Sequence, residues 1–200
     1  MAHFLLEKRF QKLGFDTVIG VDEAGRGPLA GPLIAAAVCL RSSCFTNRID
    51  DSKKLGFKAR EDAFSEIVQK SIFAISLVDE RTIDEVNILQ ATYLCMKEAV
   101  NELLRKLSSK KICILVDGNI KLKVSNHLAV GIIKGDSISK SIASASILAK
   151  VTRDRIMCLY DKVWPEYGFL RHKGYPTSFH RKVLAQIGPS PIHRLSFSYS

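Results

Sequence analysis

Two adjacent carboxylates follow an apolar run near the start of the sequence. The run at 17–21 leads directly into Asp22 and Glu23, and the tripeptide GRG at 25–27 comes shortly after them. Neighbouring side chains of a β-strand point to opposite faces, so both carboxylates can serve one site only where the strand ends or bends. Glycine permits such a bend and lets a ligand approach the backbone. The combination suggests a hard metal ion that handles phosphate.

Two further aspartates stand where apolar runs end, namely Asp117 and Asp136. In an α/β sheet, groups at strand ends gather in one crevice, where ligands usually bind. Each residue also has a structural explanation. Asp117 with Gly118 can form an ordinary turn, Asp136 can cap a following helix, and Glu23 can be a surface residue. The coincidence of four such positions favours a shared site.

Four converging carboxylates would need a positive counter-charge. Two carboxylates ~4 Å apart repel by about 4 kcal/mol at an effective dielectric constant near 20, and each raises the pKa of the other. One or two divalent cations would relieve this repulsion, and oxygen ligands select Mg²⁺ or Mn²⁺ over Zn²⁺. Two such ions ~4 Å apart can activate a water and stabilise the leaving oxygen of a phosphodiester.

The remaining pattern predicts an α/β domain with a mixed central sheet flanked by helices. Strands are predicted at 17–22, 32–40, 71–78, 111–116 and 129–133, and helices at 58–70, 82–107 and 138–160. The short Gly/Pro connection after the first strand favours an antiparallel hairpin. The spacing of Thr82 and Glu85 resembles a capping box. Prolines and glycines after 164 predict a looser C-terminal part with one or two short helices.

Composition bounds the class of protein and its partners. The chain has 200 residues, 46% of them hydrophobic and 25% charged, which is typical of one globular domain. No apolar run reaches the ~18 residues of a membrane span, and the N-terminus lacks the charge order of a secretory signal. We therefore expect a cytoplasmic protein, and a monomer because no coiled-coil pattern is visible. The net charge of +10 favours polyanion partners, although a solvated lysine-rich surface would also explain it.

The pattern as a whole resembles the bacterial ribonuclease HII family (type 2 ribonuclease H). The matching segments are GVDEAGRGPLAGPL at 20–33, DSKKL at 51–55, LVDGN at 115–119, KGDSISKSIASASILAKVTRDR at 134–155, HKGYPT at 172–177 and GPSPIHRLSF at 188–197. The resemblance covers nearly the whole chain. It implies a ribonuclease H-like fold, with a catalytic domain at 1–165 and a small helical C-terminal extension at 166–200 packed on the same domain.

The resemblance also implies an activity. The family hydrolyses the RNA strand of RNA–DNA hybrids and nicks duplex DNA on the 5′ side of single embedded ribonucleotides, leaving a 3′-hydroxyl and a 5′-phosphate. Carried over by position, the metal-binding catalytic carboxylates are Asp22, Glu23, Asp117 and Asp136, with Mn²⁺ or Mg²⁺ as cofactor. The implied ribose contacts are Gly25, Arg26 and Gly27 in a sensing loop and Tyr175 against the sugar beside the cut.

Physical chemistry makes these substrate contacts reasonable. The 2′-hydroxyl distinguishes RNA from DNA, and the exposed backbone of a glycine loop can hydrogen-bond it. Arg26 can hold a phosphate in a fork that lysine cannot reproduce. Lys53 and Lys54 lie in a polar loop that either contacts phosphate or is simply solvated. Ser139 and Lys140, near the start of the last long helix, could meet phosphate at the helix N-terminus.

Several nearby residues have a structural explanation that we prefer. Asp154 is flanked by Arg153 and Arg155, and we interpret it as an ion-pair partner rather than a fifth metal ligand. His172, His180 and His193 lie in the matched C-terminal segments; packing or a phosphate contact is favoured there over a proton-transfer role.

Two alternative functions stay open at this point. A type 3 ribonuclease H would share the carboxylate chemistry, but it usually carries an additional N-terminal substrate-binding domain, and the first strand here begins near residue 17. A non-catalytic, basic nucleic-acid-binding protein would explain the charge of the chain but not four carboxylates at strand ends.

Overall fold

Five strands form one mixed sheet in the computed structural model, which describes residues 1–199. They are β1 (Thr17–Ala24), β2 (Leu33–Leu40), β3 (Ser71–Val78), β4 (Ile112–Asp117) and β5 (Leu128–Ile132). Their order across the sheet is β3-β2-β1-β4-β5. The β1–β2 and β2–β3 pairs are antiparallel, whereas β1–β4 and β4–β5 are parallel. The predicted mixed sheet and N-terminal hairpin are therefore confirmed.

Six α-helices surround this sheet within residues 1–199. They are α1 (Leu5–Lys12), α2 (Phe57–Lys70), α3 (Glu80–Leu104), α4 (Lys140–Val163), α5 (Phe169–His172) and α6 (Ser178–Ile187). Helix α1 was not predicted. Its one fully buried residue is an acid, Glu7, and its apolar face consists of only the half-buried Leu6 and Phe10, which is a short pattern in an eight-residue helix.

Helix α3 differs from its prediction at its start and in its interior. The capping box at Thr82 is wrong, because Asp79 caps the helix and its carboxylate accepts a hydrogen bond from the backbone N–H of Thr82. Asn87 interrupts the helix with φ 68° and ψ 163°. The Asn87 side chain then accepts from the N–H groups of Leu89 and Gln90, so it caps the second helical segment.

Successive residues of the central strands face two separate cores. Ile19 and Val21 of β1 pack with α3, whereas Ile34, Ala36 and Val38 of β2 pack with α2 and α4 on the other face. A β-strand with both faces buried must be apolar throughout, which is why these strands show little alternation in the sequence.

Helix α4 lies directly against the backbone of β1. A Cβ atom placed on Gly20 would come within 2.1 Å of the Ser141 carbonyl carbon and 2.3 Å of the Ile142 nitrogen. Only glycine allows this approach, because any side chain would overlap the first turn of α4. The contact brings the start of α4 next to Asp22, two residues further along β1.

The C-terminal part packs on the loop after β1 and on α4 through a third apolar cluster. Its buried members are Leu29, Ala30, Met157, Tyr167, Phe169, Leu184 and Ile192. The division of the chain at 165 stays a prediction, and the predicted extension at 166–200 ends one residue beyond the described range. Within residues 1–199, no helix is long and apolar enough to span a membrane.

Candidate metal centre and nucleic-acid site

Three aspartates meet at one edge of the sheet. Asp22 lies in β1, Asp117 ends the neighbouring parallel strand β4, and Asp136 lies in the short turn after β5. Each offers a carboxylate oxygen, and these oxygens lie within 4.8 Å of one another. The backbone N–H of Asp136 also donates to Asp117 Oδ1 at 3.3 Å, which ties the turn to the strand. Parallel pairing of β1 and β4 creates this meeting, because both strands end at the same edge.

The charges of this aspartate cluster are poorly compensated. Burial raises the pKa of Asp22 well above its usual value, and the negative charges of Glu23 and Asp117 raise it further. Burial also raises the pKa of Asp136, with Asp117 and Asp51 adding to the effect. Three oxygen ligands that repel one another when ionised are the donor set that a hard divalent cation requires. The residues present therefore fit a divalent metal ion.

Glu23 lies beside the three aspartates but is not a member of their cluster. The strand continues through Ala24 instead of ending at 22, yet the carboxyl group of Glu23 stays within hydrogen-bond reach of that of Asp22. Its Oε1 accepts a hydrogen bond from Arg26 Nη1 at 3.4 Å. Burial raises the pKa of Glu23, the cation of Arg26 opposes this rise, and the charge of Asp117 adds to it. Glu23 is thus close enough to Asp22 and Asp117 to interact with both carboxyl groups, although its oxygens are not among the three that lie within 4.8 Å of one another.

Lys53 and Lys54 lie beside the aspartate cluster in a short 3₁₀ turn, Ser52–Lys54. Burial by itself would lower the pKa of Lys53, but the carboxylates around it, Asp136 first among them, raise it. Lys54 Nζ donates to Ser137 Oγ at 2.8 Å. Both cations are exposed and border the site, where a phosphate could reach them.

The loop that follows β1 is held from below by two buried arginines. Arg194 is fully buried; its Nη2 donates to the carbonyl of Gly25 at 2.6 Å, and its Nη1 donates to those of Arg26 and Pro28. The guanidinium of Arg153 donates to the carbonyls of Pro32, Ala30 and Lys173, each at 2.9 Å. The carbonyls of the loop are therefore turned inward to the arginines.

A small cavity of about 170 Å³ lies between this loop and Tyr175. The cavity is lined by Glu23, Ala24, Gly25, Arg26, Gly27, Ser52, Lys53, Ser146, Lys150 and Tyr175. Tyr175 is 40% exposed, and Lys150 Nζ lies 5.6 Å from the centre of its ring. The predicted loop, the predicted tyrosine and one predicted lysine thus border one space beside the carboxylates.

Ser139 and Lys140 are placed differently from their prediction as phosphate contacts. Ser139 is fully buried, caps α4, and donates its hydroxyl to Glu7 Oε1 at 2.6 Å. Lys140 Nζ donates to the carbonyl of Ile49 at 3.2 Å. A buried hydroxyl that already donates cannot reach a phosphate in this arrangement, so we leave Ser139 out of the proposed substrate contacts.

The three C-terminal histidines form a closed, neutral network. His193 Nδ1 accepts from the Ser190 backbone N–H at 2.9 Å, which leaves the proton on Nε2 to be donated to His180 Nε2 at 3.0 Å. His180 Nδ1 can then donate to the carbonyl of Tyr175 at 3.0 Å. His172 stacks on His180 with ring centres 4.3 Å apart. This histidine network packs beneath the segment that carries Tyr175.

Burial lowers the pKa of all three histidines. The pKa falls to about 4 for His180 and to about 4 for His193, and neighbouring imidazoles contribute to both shifts. Burial also lowers the pKa of His172. The rings stay neutral at neutral pH, which agrees with the packing role that we preferred from the sequence.

The ion pair predicted at Asp154 exists, but with a different partner. Lys150 Nζ lies 2.7 Å from Asp154 Oδ1, one helical turn away, whereas Arg155 pairs with Glu61. Sequence adjacency suggested the wrong partners because neighbouring residues of a helix point in different directions.

Sequence reasoning missed Arg153 and Arg194 as organisers of the loop. Both residues lay inside the matched segments, yet a buried arginine that donates to backbone carbonyls has no spacing signature. The only indication in the sequence was that each arginine lies in a segment matched to the family, far along the chain from the loop that it supports.

Comparison with known proteins agrees with the geometry. A sequence profile of the Ribonuclease HII family matches residues 19–200. Ribonuclease HII of Ruminiclostridium cellulolyticum is 53% identical over 185 residues, which cover 92% of this chain and 71% of the relative. Ribonuclease HII of Geobacter sulfurreducens is 48% identical over 195 residues, covering 96% of this chain and 86% of the relative. The crystal structure of ribonuclease H2 from Pyrococcus horikoshii OT3 superimposes with a TM-score of 0.73 at 27% identity, covering 92% of this chain and 94% of that one.

Proposed function

The chain belongs to the ribonuclease HII family. We propose that its four carboxylates at the sheet edge form the catalytic centre, and that the adjoining loop binds the nucleic-acid strand that is cleaved. As a member of this family the protein is an endoribonuclease. It hydrolyses the RNA strand of RNA–DNA hybrids and nicks 5′ of single ribonucleotides in duplex DNA. Membership decides against both the type 3 enzyme and the non-catalytic binding protein.

The observation that carries the proposed site is the convergence of three carboxylate oxygens within 4.8 Å beside a cavity lined by the glycine loop. In our proposal Asp22, Asp117 and Asp136 hold one or two divalent ions, and Glu23, whose carboxyl group reaches that of Asp22, is the fourth ligand. The family uses divalent metals; we propose Mn²⁺ or Mg²⁺ because every ligand is an oxygen. Such ions supply an activated water and charge stabilisation at the leaving oxygen.

The chain's own groups then select and orient the substrate. The inward carbonyls of the loop leave the backbone N–H groups near Gly25 and Gly27 as the donors that can face a 2′-hydroxyl. Arg26 can bind a phosphate oxygen while it stays close to Glu23. The half-exposed ring of Tyr175 offers an apolar surface for the sugar. Lys53 and Lys54 remain proposed phosphate contacts at the rim.

The test is a nicking assay on a DNA duplex that contains one ribonucleotide. We expect a cut on the 5′ side of the ribonucleotide with Mn²⁺ or Mg²⁺, leaving a 3′-hydroxyl and a 5′-phosphate, and no cut in the matched all-DNA duplex. Absence of nicking with either metal would remove the proposed function. The monomeric state and cytoplasmic location remain predictions, and light scattering on the purified protein tests the first of them.

A further inference from the structure

A second cavity, of about 450 Å³, has Arg26 but not Tyr175 in its lining. It lies between the second segment of α3, after Asn87, and the loop that follows β4. We call it the α3 groove; its lining residues are Arg26, Leu89, Gln90, Thr92, Tyr93, Ile120, Lys121 and Lys123. Arg26 lines both this groove and the cavity beside the carboxylates. The two spaces therefore adjoin across one arginine side chain.

The α3 groove combines positive charge with an apolar floor. Among the described residues that line it, Arg26, Lys121 and Lys123 are cationic and none is acidic. A further cation, Lys97, lies with its Nζ 6.0 Å from the centre of the Tyr93 ring. Leu89 is 65% exposed, which is a large exposure for a leucine in a helix. Cations above an apolar floor match the phosphates and sugar faces of a nucleic-acid strand.

The lysines of the groove are held in place by the core. Leu122 and Val124, which alternate with Lys121 and Lys123, are buried in the apolar cluster under α3. This alternation leaves both lysine side chains exposed to solvent. The Tyr93 hydroxyl accepts a hydrogen bond from the Lys123 backbone N–H at 3.4 Å, which joins the two walls.

The break in α3 lies at the same place. A non-glycine residue at φ 68° and ψ 163° is strained, and such strain tends to be retained at functional sites. Here the break at Asn87 begins a new helical segment at Leu89 and Gln90, both of which line the groove. An uninterrupted helix would not start a segment at this point.

We propose that the α3 groove binds the sugar–phosphate backbone of the substrate strand where it continues past the cleaved nucleotide. Arg26 is the junction, and Lys121 and Lys123 contact the phosphates that follow. The inference rests on the proposed function, since it extends the path of the same substrate. It adds a second contact region, and its contribution to affinity depends on the length of duplex on one side of the ribonucleotide.

Binding measurements on paired lysine variants test the proposal. The first variant is Lys121→Gln with Lys123→Gln; the control is Lys110→Gln with Lys111→Gln, which removes the same charge before β4, at the opposite end from Asp117. Dissociation constants for a fluorescent single-ribonucleotide duplex are measured in EDTA over a range of salt concentrations. We expect the groove variant to bind roughly tenfold more weakly at low salt, with a salt slope reduced by about 2. The control should change much less.

Duplex truncation supplies the second arm. Two further duplexes are shortened to a few base pairs on one side or the other of the ribonucleotide. One truncation should remove the part of the duplex that the groove contacts. The wild-type protein should bind this truncated duplex about as weakly as the groove variant binds the long duplex. The same truncation should weaken binding by the groove variant only slightly. Equal weakening in the groove and control variants, or no weakening in either, would overturn the proposal. So would a groove variant that loses the same affinity on both truncated duplexes.

These outcomes are separate from failure of the proposed function. If wild-type protein nicks the ribonucleotide with metal while the groove variant binds normally, only the groove is refuted. If an acidic peptide competes with the duplex at the wild-type protein but not at the groove variant, while duplex affinity is unchanged by the substitutions, the groove serves a protein partner and the proposal is wrong.

Discussion

The aspartate cluster and the histidine network are both groups of buried titratable side chains, yet only the second is internally satisfied. In the network, His180 and His193 have partners on both ring nitrogens and both pKa values are lowered, so the neutral state is stable. At Asp22 and Asp136 burial raises the pKa values instead, and the negative charge of Asp117 adds to both shifts. A complete network stabilises the fold; an incomplete one is poised to receive a ligand.

The largest expected effect comes from neutralising one member of the aspartate cluster. Asp117→Asn should reduce cleavage by at least about 10³-fold, because the metal ligands and their charge are disrupted. Without metal the same variant should unfold at higher urea, since removal of one repulsion stabilises the fold by about 1 kcal/mol. Cleavage assays and urea titrations measure the two effects, and binding to a hybrid in EDTA should persist.

The matched control for that variant is Asp16→Asn, which removes a carboxylate just before β1, at the end opposite Asp22. We expect normal cleavage from it. Retained activity in Asp117→Asn would show that Asp117 is not a metal ligand. Lower stability of that variant would show that the aspartate cluster, like the histidine network, stabilises the fold, and would contradict the difference proposed between them.

The opposite pattern is expected in the histidine network. His193→Ala leaves a cavity and takes a partner from His180 and from the Ser190 backbone, so it should destabilise the protein by about 2–4 kcal/mol. Urea unfolding measures this loss, and His3→Ala, at an exposed position, is the control. A His193→Ala protein of normal stability but lowered kcat would identify a proton-transfer residue instead.

The histidine network should also determine part of the pH dependence of stability. His180 and His193 have a pKa near 6.5 when unfolded and about 4 when folded, so unfolding takes up protons between these values. Their stabilisation is complete above pH 6.5 and is lost as the pH falls towards 4, by up to about 3 kcal/mol for each. The raised pKa values of the aspartates act in the opposite direction, because their repulsion is relieved at low pH.

Unfolding titrations at several pH values between 7 and 4 measure this dependence. His193→Ala should flatten it relative to wild type, whereas Asp117→Asn should make the loss of stability at low pH steeper. Identical profiles for wild type and His193→Ala would show that His193 has the same pKa in the folded and unfolded protein, which contradicts the prediction.

The smallest effect is expected at Arg26, whose guanidinium is hydrogen-bonded to the carboxylate of Glu23. Arg26→Ala should lower nicking at single ribonucleotides by roughly tenfold, because a phosphate loses a charged hydrogen-bond donor. Cleavage of long hybrids should fall by no more than that. Parallel kcat/KM measurements on both substrates compare the losses, and Arg26→Lys shows how much depends on the planar fork. A larger loss on hybrids would contradict a ribose-sensing role for the loop.

The parts of the molecule that could be predicted from sequence are those set by local pattern. Apolar runs located all five strands, and carboxylates at the ends of three of them indicated where Asp22, Asp117 and Asp136 would meet. The position of Glu23 relative to these aspartates was harder to predict. Whether β1 ends at 22 or continues to Ala24 depends on pairing with β2, which no local pattern records.

Long-range support of the site could not be predicted. Arg194 is 163 residues from Gly31 in sequence, yet it donates two hydrogen bonds to that carbonyl. The capping of α3 by Asp79 and the break at Asn87 likewise depend on how the helix meets the sheet. Such features arise from packing, so composition and periodicity do not predict them.

The contact between Gly20 and α4 acts as a mechanical stop. Because Gly20 has no side chain between β1 and the first turn of α4, the spacing between the strand that carries Asp22 and the helix that follows Asp136 is set by main-chain thickness rather than by adjustable side chains. Core side chains elsewhere can repack by tenths of an ångström when a neighbour changes, but this spacing has no such slack. A designer who transfers the site to another scaffold must therefore copy the bare strand-to-helix contact along with the carboxylates.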